Sequence, residues 1–200
     1  GRAAESTADF TMALILALAR HLVPACARVR ELGPGAWHYA VRSALEGLEL
    51  HGRVLGLVGF GQVGRRVAAR ALAFGMTVLV CDPYVSGQVI RDAGAEPVPL
   101  EGLLRRADFV SLHVPLSPET RGLIGARELA LMKPAACLIN TARGELVDEG
   151  ALAQVLRAQK IKAAALDVLT AEPPPPDHPL LGLPNVLLTP HLGGKTDAAP

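Results

Sequence analysis

Three polar residues follow apolar segments at points where β-strands are predicted to end. Arg143 comes after CLIN, Glu172 comes shortly after AAALDV, and His191 comes after NVLLTP. If these strands are parallel in one sheet, the three side chains meet in the crevice beyond its carboxyl edge, where open α/β sheets bind ligands. An arginine grips carboxylates through parallel hydrogen bonds, and a histidine beside a carboxylate exchanges protons near neutral pH. The three residues therefore predict acid–base chemistry on a small acid substrate.

The segment GFGQVG at residues 59–64 has the glycine spacing of a dinucleotide-binding turn. It follows an apolar run and opens a helical pattern, and Asp82 ends the next apolar run about 20 positions after Gly61. Gly59 permits the tight turn, Gly61 lets the backbone approach a pyrophosphate, and Gly64 lets helix and strand pack closely. Asp82 would accept hydrogen bonds from a ribose and would repel a 2′-phosphate. The pattern therefore predicts NAD as the cofactor and hydride transfer as the chemistry.

Apolar strand patterns alternate with helical patterns from residue 54 onwards. Strands are predicted at 54–58, 77–81, around Val98, and at 109–113, 137–140, 163–167 and 186–189. Helices are predicted after Gly61 and near 86–93, 100–106, 125–132 and 148–158, the last with Asp148 as its cap. Near-continuous apolar strands between helices are typical of a parallel sheet that is covered on both sides. The sequence thus predicts an α/β fold, a Rossmann-type doubly wound parallel sheet with helices on both faces.

The N-terminal region, residues 1–52, is predicted to contain one long helix and an irregular segment. Helical spacing covers residues 6–27, with Ser6 or Thr7 as the cap, and this helix is apolar on nearly all sides. A Gly-Pro-Gly sequence ends it, and residues 37–52 are irregular. A helix that is apolar all round has to be buried against other protein. We therefore expect this region to form the contact of a homodimer.

Composition excludes several classes of partner. The 200 residues carry a net charge of +1 and 4% of them are aromatic, which gives neither the basic surface nor the stacking rings of a nucleic-acid-binding protein. The longest apolar stretch, residues 10–19, is shorter than the roughly 20 residues needed to cross a bilayer. Cys26, Cys81 and Cys137 lack metal-ligand spacing, and we interpret them as reduced core residues. We expect a cytoplasmic protein with no metal and with no nucleic-acid or membrane partner.

Four further segments share one recognisable pattern. They read HVPLSPETRGLI at 113–124, LINTARGELVDEGAL at 138–152, AALDVLTAEPP at 164–174, and NVLLTPHLGG ending at residue 194. Together with the glycine-rich turn, they resemble the D-isomer-specific 2-hydroxyacid dehydrogenase family, phosphoglycerate dehydrogenases included, over nearly the whole chain. The resemblance implies that Arg143 binds the substrate carboxylate and that His191 is the acid/base catalyst. It also implies that Glu172 orients and charges that histidine.

The resemblance implies a set of cofactor contacts spread along the chain. These are Gly59, Gly61, Gln62, Val63 and Gly64 in the pyrophosphate turn, Asp82 at the ribose, Val114 near the adenosine, Thr141, Ala142, Arg143 and Asp167 near the nicotinamide, and His191, Gly193 and Gly194 after the last strand. The family also has a second domain, which supplies the opposite wall of the substrate cleft. We expect that domain to be absent from residues 1–200, which would then be the NAD-binding domain of a larger enzyme.

Two functions remain open at this point. The first is an NAD-dependent oxidoreductase that transfers a hydride between NAD(H) and a D-2-hydroxy acid or 2-oxo acid, with 3-phosphoglycerate as the leading substrate and glycerate or hydroxypyruvate next. The second is a non-enzymatic, NAD-sensing binding protein of the corepressor type. Each site residue also has a purely structural interpretation. Arg143 could pair with Glu145 or Asp148, Glu172 could be a surface carboxylate, and His191 could merely begin a helix.

Overall fold

Among the residues that the structure describes, seven parallel β-strands form one central sheet. The computed structural model describes residues 2–197. The strands are β1 (Val54–Val58), β2 (Thr77–Cys81), β3 (Glu96–Pro97), β4 (Phe109–Leu112), β5 (Cys137–Asn140), β6 (Ala163–Leu166) and β7 (Val186–Leu188). Their order across the sheet is β3-β2-β1-β4-β5-β6-β7, and every neighbouring pair is parallel. The predicted sheet is confirmed, although β3 ends just before Val98 instead of containing it.

Helices cover both faces of this sheet. They are α1 (Arg2–Ala19), α2 (Leu22–Leu32), α3 (Tyr39–Ala44), α4 (Gln62–Ala73), α5 (Gly87–Asp92), α6 (Leu100–Arg106), α7 (Ala126–Leu131) and α8 (Glu149–Arg157). Side chains alternate along each strand, so Leu55 and Leu57 join the core under α1 and α4, whereas Val58 joins the core under α6, α7 and α8. These two apolar cores, one on each face, confirm the doubly wound arrangement.

The direction in which strands are added reverses between β1 and β4. The chain moves outward from β1 to β2 and β3, then returns to the centre and continues from β4 to β7 on the other side. Open α/β sheets bind ligands at such a point, beyond the carboxyl ends of the strands. The glycine-rich turn follows β1, and His113 and Val114 follow β4. Both segments therefore lie at this crevice.

The N-terminal region differs from the prediction of one long helix. α1 begins at Arg2, so Ser6 and Thr7 lie inside it and do not cap it, and the chain breaks at His21, whose backbone is left-handed with a φ of 50°. A separate helix, α2, follows the break. The segment expected to be irregular contains a 3₁₀ turn (Gly33–Trp37) and α3. The break depends on the backbone conformation of a single residue, which the apolar pattern does not encode.

The apolar helix α1 is buried by the chain's own fold. Ala8, Met12 and Ile15 pack in the core on the α4 side of the sheet, and α1 also contacts β5 and β6. A second subunit is therefore not needed to cover α1, which corrects the argument for a dimer given above. The following helix, α2, has no buried residue and exposes Leu22 and Val23.

Two further features concern the N-terminal helices and the cysteines. Within residues 2–197 no single helix is long and apolar enough to span a membrane, although the bent pair Ala3–Ala19 and Leu22–Trp37, at 57° to each other, meets those criteria jointly. Cys137 is buried, and burial raises its pKa to about 11. Cys81 is partly buried and Cys26 is exposed. The expectation of a core residue is wrong for Cys26, because α2 lies on the surface.

Candidate active site

The glycine-rich turn joins β1 to α4 and has the backbone geometry that its glycines predict. Gly59 has a φ of 100°, and a Cβ on it would lie 2.6 Å from the carbonyl oxygen of His113. A Cβ on Gly64 would collide with the carbonyl oxygen of Gly59. Around Gly61, by contrast, nothing lies within 4 Å of an added Cβ, and this residue caps the N-terminus of α4. Open space in front of helix amides suits the pyrophosphate of a dinucleotide.

Asp82 follows β2 and is joined to the same turn. Its carboxylate accepts hydrogen bonds from the backbone N–H of Phe60 (2.8 Å) and of Tyr84 (2.9 Å). The carboxylate is thereby fixed beside the turn, and its remaining lone pairs can accept from ribose hydroxyls. Gln62 and Val63 form the first turn of α4, where Gln62 is exposed and Val63 is partly buried.

Several of the predicted cofactor residues line one pocket of about 400 Å³. They are Val63, Val114, Thr141, Ala142 and Arg143. Thr7 of α1 and His113 also line this pocket. Nε2 of His113 lies 2.9 Å from Oγ of Ser111, and burial lowers the pKa of His113 to about 4. His113 is therefore neutral at physiological pH and adds no positive charge to the pocket.

The turn after β5 presents Thr141, Ala142 and Arg143 to this pocket. Asn140 organises the turn, because its side chain donates to the carbonyl of Arg143 (2.8 Å) and accepts from the N–H of Ala142 (3.0 Å). The hydroxyl of Thr141 is hydrogen-bonded to that of the buried Thr11 (3.0 Å). Thr141 is the donor, since the Thr11 hydroxyl already donates to a carbonyl within α1 (2.8 Å). α1 therefore helps to hold the turn that carries Arg143.

His191 and Glu172 form a hydrogen-bonded pair beyond the carboxyl ends of β6 and β7. Nδ1 of His191 lies 2.7 Å from Oε2 of Glu172, whose Oε1 accepts from the N–H of Leu169 (3.0 Å). The backbone of His191 is left-handed, with a φ of 55°, which is uncommon for residues with a side chain. Its N–H donates to the carbonyls of Asp167 and Thr189, both at 3.0 Å. Because Nδ1 is engaged by Glu172, Nε2 is the nitrogen available to a substrate.

The negative charge of Glu172 is stabilised by its neighbours. Partial burial favours the neutral acid, but hydrogen bonds from His191 and from the N–H of Leu169 outweigh it, and the charge of Arg143 adds to them, so the pKa of Glu172 is lowered. Glu172 and His191 also line a pocket of about 420 Å³. The structure thus joins Glu172 to His191 directly, whereas Arg143 lines the neighbouring pocket of about 400 Å³ and acts on Glu172 through its charge.

Asp167 holds the turn that contains His191. Its Oδ1 accepts from the hydroxyl of Thr189 (2.6 Å) and from the N–H of Leu192 (2.8 Å), and its Oδ2 accepts from the N–H of Gly193 (2.7 Å). Asp167 is buried, whereas Gly194 is partly exposed and has nothing within 4 Å of an added Cβ. The sequence predicted a contact between Asp167 and the nicotinamide. In the structure this carboxylate fixes the turn after β7 by accepting hydrogen bonds from it.

Asn140, Thr11 and Thr189 contribute to the site and were missed by the sequence analysis. Asn140 had a local signal, since asparagine before a turn often bonds to the backbone two residues on. Thr11 had none, because Thr141 is 130 residues away along the chain.

A larger cavity, of about 690 Å³, lies at the amino ends of β5–β7 and contains none of the predicted site residues. Within residues 2–197 no three metal-ligating side chains cluster.

The fold and the glycine-rich turn define a dinucleotide-binding domain of the Rossmann type. Residues 12–193 match the family described as D-isomer specific 2-hydroxyacid dehydrogenase, NAD binding domain. The chain belongs to this family, as the sequence motifs indicated. Its cofactor is therefore NAD, in agreement with the geometry of the turn.

Several known proteins match nearly all of this chain and are longer than it. The chain is 47% identical over 195 residues to the D-3-phosphoglycerate dehydrogenase of Methanocaldococcus jannaschii, a match that covers 97% of this chain and 36% of the relative. It is 47% identical over 193 residues to the glyoxylate reductase of Korarchaeum cryptofilum, covering 96% and 57%. A solved structure of a Thermus thermophilus protein superposes with a TM-score of 0.88 at 47% identity, covering 97% and 60%. The chain thus spans between 36% and 60% of the length of these relatives.

Proposed function

We propose that this chain is the NAD-binding domain of an oxidoreductase that interconverts a D-2-hydroxy acid and a 2-oxo acid. The observation that carries the proposal is the 2.7 Å contact between Nδ1 of His191 and Oε2 of Glu172 at the carboxyl edge of the sheet, with Arg143 nearby. When bound, NAD(H) supplies or accepts the hydride. The glycine-rich turn, Asp82 and the pocket beside Val114 would hold it.

Arg143 is the proposed ligand of the substrate carboxylate. It is exposed at the carboxyl end of β5, and one of its nitrogens donates to the carbonyl of Ala142 (2.6 Å). The other donors of its planar guanidinium fit a carboxylate through two parallel hydrogen bonds, and they can also polarise the neighbouring keto oxygen. A lysine at this position would offer a point charge without that geometry.

His191 is the proposed proton donor and acceptor. During reduction its Nε2 would give a proton to the oxygen of the former keto group, and during oxidation it would take that proton back. Glu172 holds Nδ1 on the other side of the ring and keeps the imidazole in one orientation. The carboxylate also stabilises the ring while it is protonated.

The proposed substrates are 3-phosphoglycerate or, next, glycerate and hydroxypyruvate. The name of the Methanocaldococcus jannaschii relative, D-3-phosphoglycerate dehydrogenase, supports the leading substrate. We propose that residues 1–200 form one wall of the substrate cleft and that a substrate domain elsewhere in the full-length protein provides the other. Turnover of NADH with 3-phosphohydroxypyruvate, hydroxypyruvate and glyoxylate by the full-length protein tests the proposal, with His191→Asn as the matched control. Failure of the wild type on all 2-oxo acids of such a panel would contradict it.

The alternative of a non-enzymatic NAD-sensing protein is not favoured. The relatives that match 96–97% of this chain are named as enzymes. The same assay separates the two functions, because a binding protein would bind NADH in its full-length form without consuming it in the presence of any 2-oxo acid.

We also propose that the protein is a homodimer in the cytoplasm, with the contact formed by residues 1–52. Leu22 is 57% exposed, Val23 is 51% exposed and Trp37 is 64% exposed, and large apolar side chains exposed in one region are typical of an interface. Three free cysteines support a reducing compartment. Sedimentation of the full-length protein tests the dimer, and Leu22→Asp is expected to dissociate it. A monomeric wild type would contradict the proposal.

A further inference from the structure

Glu149, the first residue of α8, binds both ends of the segment that contains Glu172. Its Oε1 accepts from the backbone N–H of Thr170 (2.7 Å), and its Oε2 lies 3.0 Å from Nε2 of His178. The segment between these two contacts, residues 170–178, is named below the Glu172 loop. One carboxylate therefore fixes the start and the end of this loop to the sheet-covering helix α8.

The contact between Glu149 and His178 is protected from water. Only 15% of the Glu149 side chain and 8% of the His178 side chain are exposed. The Leu180 N–H donates to Nδ1 of His178 (3.4 Å), and an ionised carboxylate can only accept, so the ring carries its hydrogen on Nε2 and donates it to Glu149. Both ring nitrogens are thus engaged by the chain. His178 therefore connects the end of the loop to Glu149.

The loop is also fixed close to its first residues. Oε1 of Glu172 accepts from the N–H of Leu169, directly before the loop, while its Oε2 contacts His191. Between the two anchors of the loop lies the run Pro173–Pro176, whose restricted backbone transmits a displacement at one end along the segment. The position of the Glu172 carboxylate relative to His191 therefore depends on the anchors that Glu149 provides.

We propose that Glu149 is a positioning residue, which sets Glu172 against His191 by holding the Glu172 loop at both ends. The proposal rests on the proposed function, since it assigns Glu149 a role in the proton transfer between His191 and the substrate. Glu149 itself lines neither the pocket of about 400 Å³ that contains Arg143 nor the pocket of about 420 Å³ that contains His191. It acts through Thr170 and His178.

The test uses Glu149→Ala in the full-length protein. We expect kcat for reduction of the 2-oxo acid to fall roughly 10- to 100-fold, the usual cost of a displaced catalytic group, with the KM for NADH unchanged. The pH–rate profile is expected to move to lower pH, which is also the direction expected for Glu172→Gln. In the double variant with Glu172→Gln, the loss is expected to equal that of Glu172→Gln alone, because residues that act through one another are not additive. Additive losses with an unchanged pH profile would overturn the proposal.

Asp148→Ala is the matched control. Asp148 is the preceding residue and caps α8 by accepting from the N–H of Ala151 (2.9 Å), so its loss weakens the helix without touching the loop. We expect this control to lower the melting temperature and leave kcat unchanged. If Glu149→Ala does not fold, Glu149→Gln gives the same test with a smaller loss, since its amide keeps an acceptor for Thr170 but not for His178.

Hydrogen exchange distinguishes failure of this proposal from failure of the proposed function. Amides of the Glu172 loop are expected to exchange faster in Glu149→Ala than in the wild type, and not in Asp148→Ala. Unchanged exchange in that loop would overturn the role of Glu149 whatever the activity. A wild type that reduces no 2-oxo acid would overturn the proposed function and with it the role in proton transfer, while faster exchange would still show that Glu149 holds the loop.

Discussion

Gly144 connects the turn that carries Arg143 to the segment before Glu172, and Gly144→Ala tests whether this contact sets the geometry of the site. Gly144 is buried at the start of a 3₁₀ turn. A Cβ at this position would lie well inside 3.0 Å of three backbone atoms, the carbonyl carbon and oxygen of Leu169 and the amide nitrogen of Thr170. Backbone atoms have no alternative rotamer that would remove them. The variant therefore has to push the two segments apart.

The size of the effect follows from the size of this displacement. Ordinary contacts of a Cβ begin at 3.4 Å, so the separation has to grow by on the order of 1 Å. The shift reaches Glu172, which follows Thr170 closely, and changes its contact with His191. A misplacement of about 1 Å can cost roughly 100-fold in rate, and overpacking costs about 1–3 kcal/mol. We expect both losses, in kcat and in the free energy of unfolding, for the full-length Gly144→Ala variant.

Steady-state reduction of a 2-oxo acid and denaturant unfolding measure the two effects. Gly102→Ala is the control, because its Cβ would lie 3.7 Å from Cγ of Pro99, an ordinary contact. Inside α6 this control is expected to leave kcat unchanged and to raise stability by about 0.5–1 kcal/mol. NADH affinity is expected to remain at the wild-type level in the Gly102→Ala control. A folded Gly144→Ala variant with wild-type kcat would refute the argument that this contact sets the position of Glu172.

Four further predictions concern the cofactor, the acid–base pair and a partly buried histidine. The chain is expected to bind NADH more tightly than NADPH, and Asp82→Ala is expected to reduce the difference between the two dissociation constants measured by calorimetry. Equal affinities of the wild type for NADH and NADPH would contradict the role of Asp82. Residues 1–200 alone are expected to bind NADH without turnover, which steady NADH consumption with a 2-oxo acid would disprove. In the full-length protein, Glu172→Gln is expected to move the pH–rate profiles of reduction and oxidation to lower pH, since it removes the charge that stabilises protonated His191. His191→Asn is expected to lower the rate roughly 10²–10⁴-fold. Superimposable profiles of the wild type and Glu172→Gln would exclude an effect of Glu172 on His191. His113 has a folded pKa of about 4, below the roughly 6.5 of an unfolded histidine, so the unfolded state takes up the proton first and stability should fall as pH drops between these values. The expected loss in the free energy of unfolding is at most about 3 kcal/mol, and it is smaller where the pocket admits solvent. Denaturant unfolding at pH values near both pKa values, with His113→Gln as the reference, measures this loss. An equal change of stability with pH in the wild type and in His113→Gln would show that burial of His113 has no such effect.

Much of the sheet could be predicted from the sequence because its strands are locally encoded. β1, β2 and β5 have the predicted boundaries, and Asp148 caps α8 as expected. In a parallel sheet that is buried on both faces, each strand is a short apolar run between polar turns, so its limits are visible without knowledge of its neighbours. Helix limits in the N-terminal region were harder, because the break at His21 lies within a continuous apolar pattern.

The candidate site was predicted in part for the same reason. Arg143, Glu172 and His191 stand at strand ends, and parallel strands bring their carboxyl ends to one edge. The supports of these residues were not predicted. Thr11 meets Thr141 across 130 residues, and Glu149 reaches Thr170 across 21 residues, so no local spacing reveals either contact.

The sequence by itself determined the class of fold and the cofactor turn, and it supplied the candidate reactive side chains, because these depend on residue type and on periodicities of a few residues. Only the tertiary structure decided which surface α1 covers and which backbone Gly144 approaches. It also decided that both oxygens of Asp167 serve the turn of His191. These outcomes depend on contacts between segments that are distant in the chain, and such contacts form only when the sheet and its helices have packed.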